Sequence, residues 1–476
     1  MNKLRSLSFG WRIFLLAVVL RLIPVLVSIN LPIGLDDMFQ YDMLARSIAS
    51  GQGFRWYAQE DLDLIQSYFD MDFVVGDYDP EGVISSFRAP GYPAFLALIY
   101  WVSGLKWRFF AARLVQAFLG ATLAPLVYKL GERLFPGREK AGKLAAYFVA
   151  FYPMLMVYPL ALATENLFIP LVFSGLLLLL KAVDNKSDPG FLLAGTVFGL
   201  ATLTRSVIFA FAGLAILWIW WAAKQKRGAI LFGIALLALV IPWTARNSLL
   251  YEKFTFVENS LGYNLHMGYH PEGTGTFQYG ISLELFPYLD DGQRNDLGVE
   301  AGLEFIKQDP GRIPSLILNK LGFFFSLERR AMSYFYSNGF FGQIPQAALI
   351  GLFALFTLPF AVLSSLSAAS LALMGWNKER LLFLLLLVGY LLPHVFLLAE
   401  PRFHIAIVPG LAMLADYAWG ERKALWKRAS EEKWRFATAL VLIGLLWLNW
   451  GMELIRDADK LAILLGPEGY RAGFPY

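Results

Sequence analysis

The chain has 476 residues, of which 57% are hydrophobic and 16% charged, and its mean hydropathy is +0.52. Ordinary soluble proteins carry about 25% charged residues, so a water-facing globule is excluded. The absence of cysteine excludes disulfides and thiolate chemistry, four histidines leave little room for a many-histidine metal centre, and a net charge of +4 points to no nucleic-acid partner.

A helix needs about 20 apolar residues to cross a bilayer. Runs of this kind predict spans at 11–30, 109–129, 144–161, 166–182, 190–204, 206–223, 228–244, 345–374, 381–398, 404–419 and 436–452. The expectation is an all-α polytopic membrane protein with about 11 transmembrane helices. Residues 87–104, FRAPGYPAFLALIYWVSG, are different. A helix from Gly91 to Leu105 is only about 22 Å long against a hydrocarbon core of about 30 Å. It is read as a short or re-entrant helix sheltered by protein. On that reading 21 of the 41 Lys and Arg fall in short segments on one side. Such segments stay in the cytoplasm, which puts the N-terminus inside a plasma or inner membrane and the C-terminus outside. The first span carries no small-residue cleavage site and reads as an uncleaved anchor. The chain then divides into a membrane module at 1–250 with an external loop at 31–108, a second external loop at 246–344 with interfacial helices, and C-terminal helices at 345–476.

Charged residues gather where the external segments meet the spans. In GLDDMFQYDMLARSIASGQGF, Tyr41, Leu44, Ala45 and Ile48 recur at helical spacing, which predicts an amphipathic helix on the membrane opened by Asp36 and Asp37. One carboxylate can cap that helix while the other stays free as a base. Arg88 heads the APGYP turn, Glu165 sits in ALATEN, Arg205 in GLATLTRS, Arg246 in PWTARN, and Arg402 with His404 in LAEPRFHI. Each arginine alone could be snorkelling to headgroups. Arg205, with almost no loop around it, needs a partner or an aqueous cavity. Arginines and carboxylates at one membrane face suit a polyprenyl-phosphate sugar, whose phosphate sits at headgroup level. Arginine binds phosphate in bidentate fashion, and a phosphate leaving group needs little protonation. A single carboxylate base on the acceptor hydroxyl then suffices.

In the second external loop, NSLGYNLHMGYHPEGTGTF offers Tyr263, Asn264 and His266 for stacking on a sugar or touching an acceptor. His266 and His270 have metal-ligand spacing only on a helix. Gly268 and Pro271 point to a loop, so no metal site is expected there. The acidic run DLDLIQSYFDMDFVVGDYDPE reads as solvated surface.

The order of LDDMFQY, FRAPGYPAFLALIYWVSG, ARLVQAFLGATLAPLVYKLGERLFPGREKAG, ALATENLF, GLATLTRS, PWTARN and RFHIAIVPGLAML resembles the GT-C superfamily of glycosyltransferases. The branch resembled is the polyprenyl-phosphate-dependent one, with protein O-mannosyltransferases and lipid A aminoarabinose transferases, and the likeness covers the first 250 residues best. It implies a GT-C fold and inverting transfer from a polyprenyl-phosphate donor such as undecaprenyl phosphate to a protein, lipid or glycan acceptor on the exterior or periplasmic face. It also implies Asp37 as the catalytic base with Asp36 as the adjacent alternative, Arg88 and Arg402 on lipid phosphate, and Glu165 near the acceptor or a metal. Arg205 and Arg246 match recurrent basic positions, and Tyr41 belongs to the Asp37 motif. Met38 stands where many relatives carry the second residue of an acidic pair, which leaves dependence on a divalent cation open. A transporter or flippase of lipid-linked sugars is the competing reading. It has no need of Asp37, and no inverted halves are visible.

Overall fold

The computed structural model describes residues 7–68, 72–74, 76, 78–137, 140–340 and 342–473. It is a mostly helical membrane protein, and every segment expected to span is helical. Among the described residues seven helices are long and apolar enough to cross: Phe9–Val27, Leu105–Leu134, Glu165–Asn185, Lys226–Leu250, Gln346–Leu373, Lys378–Phe396 and Lys433–Arg456. The pair Lys143–Phe151 and Pro153–Leu160, bent by 56°, makes an eighth if it counts as one span. The remaining expected spans contain the shorter helices Asp188–Thr204, Ile208–Trp221 and Val408–Gly420, of 17, 14 and 13 residues. Arg205 leaves helical geometry with ψ 112° and separates the first two of these, at the boundary expected between the spans 190–204 and 206–223.

The break in the bent pair explains a buried charge in the first span. Pro153 has no N–H to give the carbonyl of Val149, its partner four residues back. The Arg21 Nη2 donates to that carbonyl at 3.0 Å, and Nη1 reaches the carbonyl of Ala150 at 3.5 Å. A lone intramembrane arginine is thus used to satisfy backbone that the proline leaves unpaired. Elsewhere the bundle closes on small residues. A Cβ on Gly195 would meet the Phe232 carbonyl at 2.3 Å, so glycine is what lets Asp188–Thr204 lie against Lys226–Leu250. Leu440, Val441, Leu445, Trp447 and Leu448 stand exposed on Lys433–Arg456, an apolar surface suited to lipid.

The two long segments between spans, 31–108 and 246–344, pack against each other. Helix Asp37–Ala49 opens the first, and the short apolar helix Gly91–Ser103 packs against it. At 13 residues the latter measures about 20 Å, the short helix expected from sequence. Arg55–Trp56 pairs antiparallel with Val83–Ile84, Arg55 opposite Ile84. This ribbon leads straight into Ser85–Arg88. A separate apolar cluster with Trp56, Tyr57, Phe87 and Leu289 ties it to the second loop, which folds into helices Leu261–Tyr269, Asp291–Gln308 and Ile313–Phe324. The acidic run is only partly solvated. Asp61 is buried and accepts from Arg46 at 2.5 Å, while residues 69–71, 75 and 77 of that run lie outside the described residues.

Candidate active site

Asp36 and Asp37 divide their work as adjacent residues at a helix start can. The Asp36 Oδ1 accepts from the Met38 N–H at 2.8 Å and caps helix Asp37–Ala49. Asp37, the first residue of the helix, lines a cavity of about 1500 Å³ between the two long segments and the span ends. Upstream, Arg113 holds the approach to this turn by donating to the carbonyls of Leu31, Pro32 and Leu160 at 2.6–3.1 Å.

Each Asp37 oxygen faces one arginine. Arg88 Nη2 donates to Oδ1, and Arg402 Nη2 lies 2.5 Å from Oδ2. Arg88 also bonds Gln40 through Nε at 2.9 Å and lies over the rings of Tyr41 and Phe87. Arg402 is flanked by Glu400 at 3.0 Å, which also holds Arg330 at 3.2 Å. Burial works against the Asp37 carboxylate, but Arg402 and Arg88 outweigh it and hold the carboxyl well below its usual range. Asp36 moves the other way, raised by burial and by the charge of Asp37. Two neighbouring carboxyls with opposite shifts mark a place where protonation is controlled.

Glu165 and Arg205 line the same cavity and take each other as partners, Nη1 to Oε1 at 2.5 Å, with Thr164 Oγ1 at 3.2 Å from the same nitrogen. Both side chains are largely buried. Arg205→Ala is expected to leave the Glu165 charge without its nearest cation and to cost about 3–5 kcal/mol of stability. The double variant Glu165→Gln/Arg205→Ala should recover part of that loss, and thermal unfolding in detergent checks both.

Tyr41, Tyr263 and Asn264 also line the cavity, with Tyr263 edge-on to Phe87 at 5.5 Å. Arg246 and His266 are not among its walls. Arg246 donates instead to the Ser85 carbonyl at 2.7 Å and lies over Trp243, so it fixes the strand end that presents Arg88. His266 is buried beside Glu284 on helix Leu261–Tyr269, which replaces the loop expected at Gly268. The close approach of Gly262 to the Asn295 carbonyl, and of Gly298 to Gly262, lets this helix seat on Asp291–Gln308, and that packing overrides the turn tendency of its glycines. His404 is fully buried between the Phe324 carbonyl at 2.8 Å and Glu328 at 3.1 Å, stacked on Phe360, and anchors the 3-10 turn that carries Arg402.

Asp291 is a contributor that sequence reasoning missed. It is completely buried and receives bonds from the N–H groups of Ser86 and Phe87 at 2.8 and 3.0 Å and from the Ser85 hydroxyl at 2.8 Å. It therefore shapes the turn preceding Arg88 from two hundred residues away. Nothing in its neighbourhood DDGQRND separates it from a solvated helix start. Asp291→Ala is expected to strand three donors, lowering stability by about 2–4 kcal/mol and loosening the turn that carries Arg88. Unfolding midpoints check this.

Residues 88–245 match the family model of dolichyl-phosphate-mannose-protein mannosyltransferases. That is about a third of the chain. The mannosyltransferase-matched segment contains RAPGYP, ALATEN and GLATLTRS, and so Arg88, Glu165 and Arg205, in agreement with the resemblance read from those motifs. Asp37 and Arg402 lie outside it and reach Arg88 only through the fold. Among solved structures, the oligosaccharyltransferase of Archaeoglobus fulgidus in complex with Zn and sulfate matches at 14% identity and TM-score 0.46, over 98% of this chain and 57% of that one. This chain thus spans little more than half of that protein's length. ArnT from Cupriavidus metallidurans bound to undecaprenyl phosphate matches at 14% identity and TM-score 0.38, over 97% of this chain and 82% of that one. No curated protein matches the chain by sequence.

Proposed function

We propose that this chain is a membrane glycosyltransferase of the GT-C type. It moves a monosaccharide from a polyprenyl-phosphate carrier to an acceptor hydroxyl on a protein, lipid or glycan at the external face of the cell membrane. The observation that carries the reading is Asp37, clamped between Arg88 and Arg402 in an open cavity at the ends of the spans. Val207, Phe209, Ala210 and Phe256 give that cavity an apolar wall beside its charged end, as a lipid-linked anion requires.

The donor phosphate competes with Asp37 for the two guanidinium groups. As Arg88 and Arg402 turn to phosphate oxygens, Asp37 loses its counter-charges and becomes a stronger base. The acceptor oxygen then attacks the anomeric carbon while its proton passes to Asp37. The bond from that carbon to the phosphate oxygen breaks, and the electron pair leaves on the phosphate, held by the arginines. Attack opposite the leaving group inverts the anomeric centre. The bias of Lys and Arg toward the short segments on the other side supports an external face for this chemistry.

The test uses radiolabelled polyprenyl-phosphate sugars of several types, with purified protein, crude membrane acceptors, and a chelator in a parallel arm. Donor consumption that needs Asp37 supports the reading. Consumption of no donor, with the protein folded, overturns it in favour of a transporter of lipid-linked sugars.

A further inference from the structure

Away from the Asp37 cavity wall, three potential metal ligands converge in the second external loop. His266 and His270 are four residues apart at the C-terminal end of helix Leu261–Tyr269, and Glu284 comes from just beyond the short helix Tyr279–Ser282. One ligand atom from each lies within 4.8 Å of the others. His266 Nε2 is 3.0 Å from Glu284 Oε2, and His270 Nε2 is 3.4 Å from Glu284 Oε1. A tetrahedral zinc-type ion, with bonds of about 2.0–2.2 Å, holds its ligand atoms about 3.3 Å apart.

A His–Glu pair by itself does not account for the cluster, since Nδ1 of the buried His266 has no partner. His266 is 4% exposed, and neither of its ring nitrogens makes a hydrogen bond, although Nε2 stands so near the carboxylate. A buried imidazole left in this state is costly unless something else satisfies it. Phe305 packs against both imidazoles at 5.2–5.6 Å, and Arg312 fixes the backbone by donating to the His270 carbonyl at 3.0 Å. Glu284 is about half exposed, which leaves one side of the cluster open to water.

We propose that His266, His270 and Glu284 bind one first-row divalent ion of the zinc class, with water completing the coordination. Two imidazoles and one carboxylate favour such an ion over Mg²⁺ or Ca²⁺, which take oxygen ligands. His270 Nδ1 accepts from the Glu272 N–H at 3.2 Å, so its ring proton resides on Nε2 in the free state. Binding through Nε2 moves that proton to Nδ1 and gives up this one long contact. The ion joins helix Leu261–Tyr269 to the segment ending at Glu284. Tyr263 on the first, and Gln278, Tyr279 and Ser282 on the second, line the Asp37 cavity, so the metal pins one of its walls.

The test needs no sugar transfer and so stands apart from the proposed function. The full chain, purified in detergent with a histidine-free tag, is titrated with ZnCl₂ alone and with CoCl₂, and its unfolding midpoint is measured with and without each. The expected result is one saturable ion per chain, a raised midpoint, and the visible bands of low-symmetry cobalt. Glu284→Gln, at a half-exposed position that tolerates the change, and His270→Asn should weaken binding by more than about 100-fold, beyond what loss of an outer-shell partner costs. Wild type and both variants binding alike, or wild type binding far less than one ion per chain, overturns the proposal.

Discussion

Asp37→Asn is expected to abolish sugar transfer, with a loss of at least about 10²–10⁴-fold, the contribution of a positioned general base. The substitution keeps the shape of the side chain and removes only its ability to take a proton. Collapse of the site is not a competing explanation, because both arginines keep partners. Arg88 retains Gln40 at 2.9 Å, and Arg402 retains Glu400 at 3.0 Å. Steady-state transfer by purified protein, with an unfolding midpoint within a few degrees of wild type, checks the result. Asp36→Asn discriminates the two carboxylates, since asparagine caps a helix as well as aspartate. A fall as deep as that of Asp37→Asn would transfer the base role to Asp36. The pH profile carries a second signature. With its carboxyl held below the usual range, Asp37 contributes no acid limb to kcat/KM of wild type above about pH 4, the ordinary aspartate region. The ion pairs likewise stabilise the fold fully above that region, and their contribution is lost as pH falls through the lowered value.

Arg402→Ala is expected to lower kcat/KM by about 30-fold to more than 10³-fold, equivalent to the roughly 2–5 kcal/mol lost when one partner of a buried charge pair is truncated. The loss should fall on donor binding, appearing in KM when chemistry is slow. Arg402→Lys keeps the charge without the planar fork and should recover only part. The same truncation removes one of the two cations on Asp37, so burial raises the carboxyl and the acid limb of the pH profile moves upward. Unchanged KM together with an unmoved acid limb would detach Arg402 from both phosphate and base.

Those two residues also show what can be read locally. The helix opened by Asp36 and Asp37 was legible because apolar spacing and capping act within a few turns, and the helix is observed at Asp37–Ala49. The short helix after Pro90 was legible from its length. The pairing of Arg402 with Asp37, across more than 360 residues, was not, since no local preference records which charges a fold will bring together. Arg246 and Arg205 both stand beside apolar runs, and only the near absence of a loop around Arg205 sets it apart in sequence. In the fold, one holds the Ser85 carbonyl while the other faces the cavity beside Glu165.

By itself the sequence determined that this chain lives in a membrane, that its charged residues gather between spans, and that a helix opens at Asp36 and Asp37. Those properties follow from hydrophobic length and helix capping, which are additive along the chain. Only the tertiary structure decided that Arg88 and Arg402 occupy the two oxygens of Asp37, that Asp291 shapes the turn before Arg88, and that His266 and His270 sit on a helix facing Glu284. Such partnerships depend on the packing of distant helices, and close packing at Gly262 and Gly298 can override the preference of a glycine-rich segment.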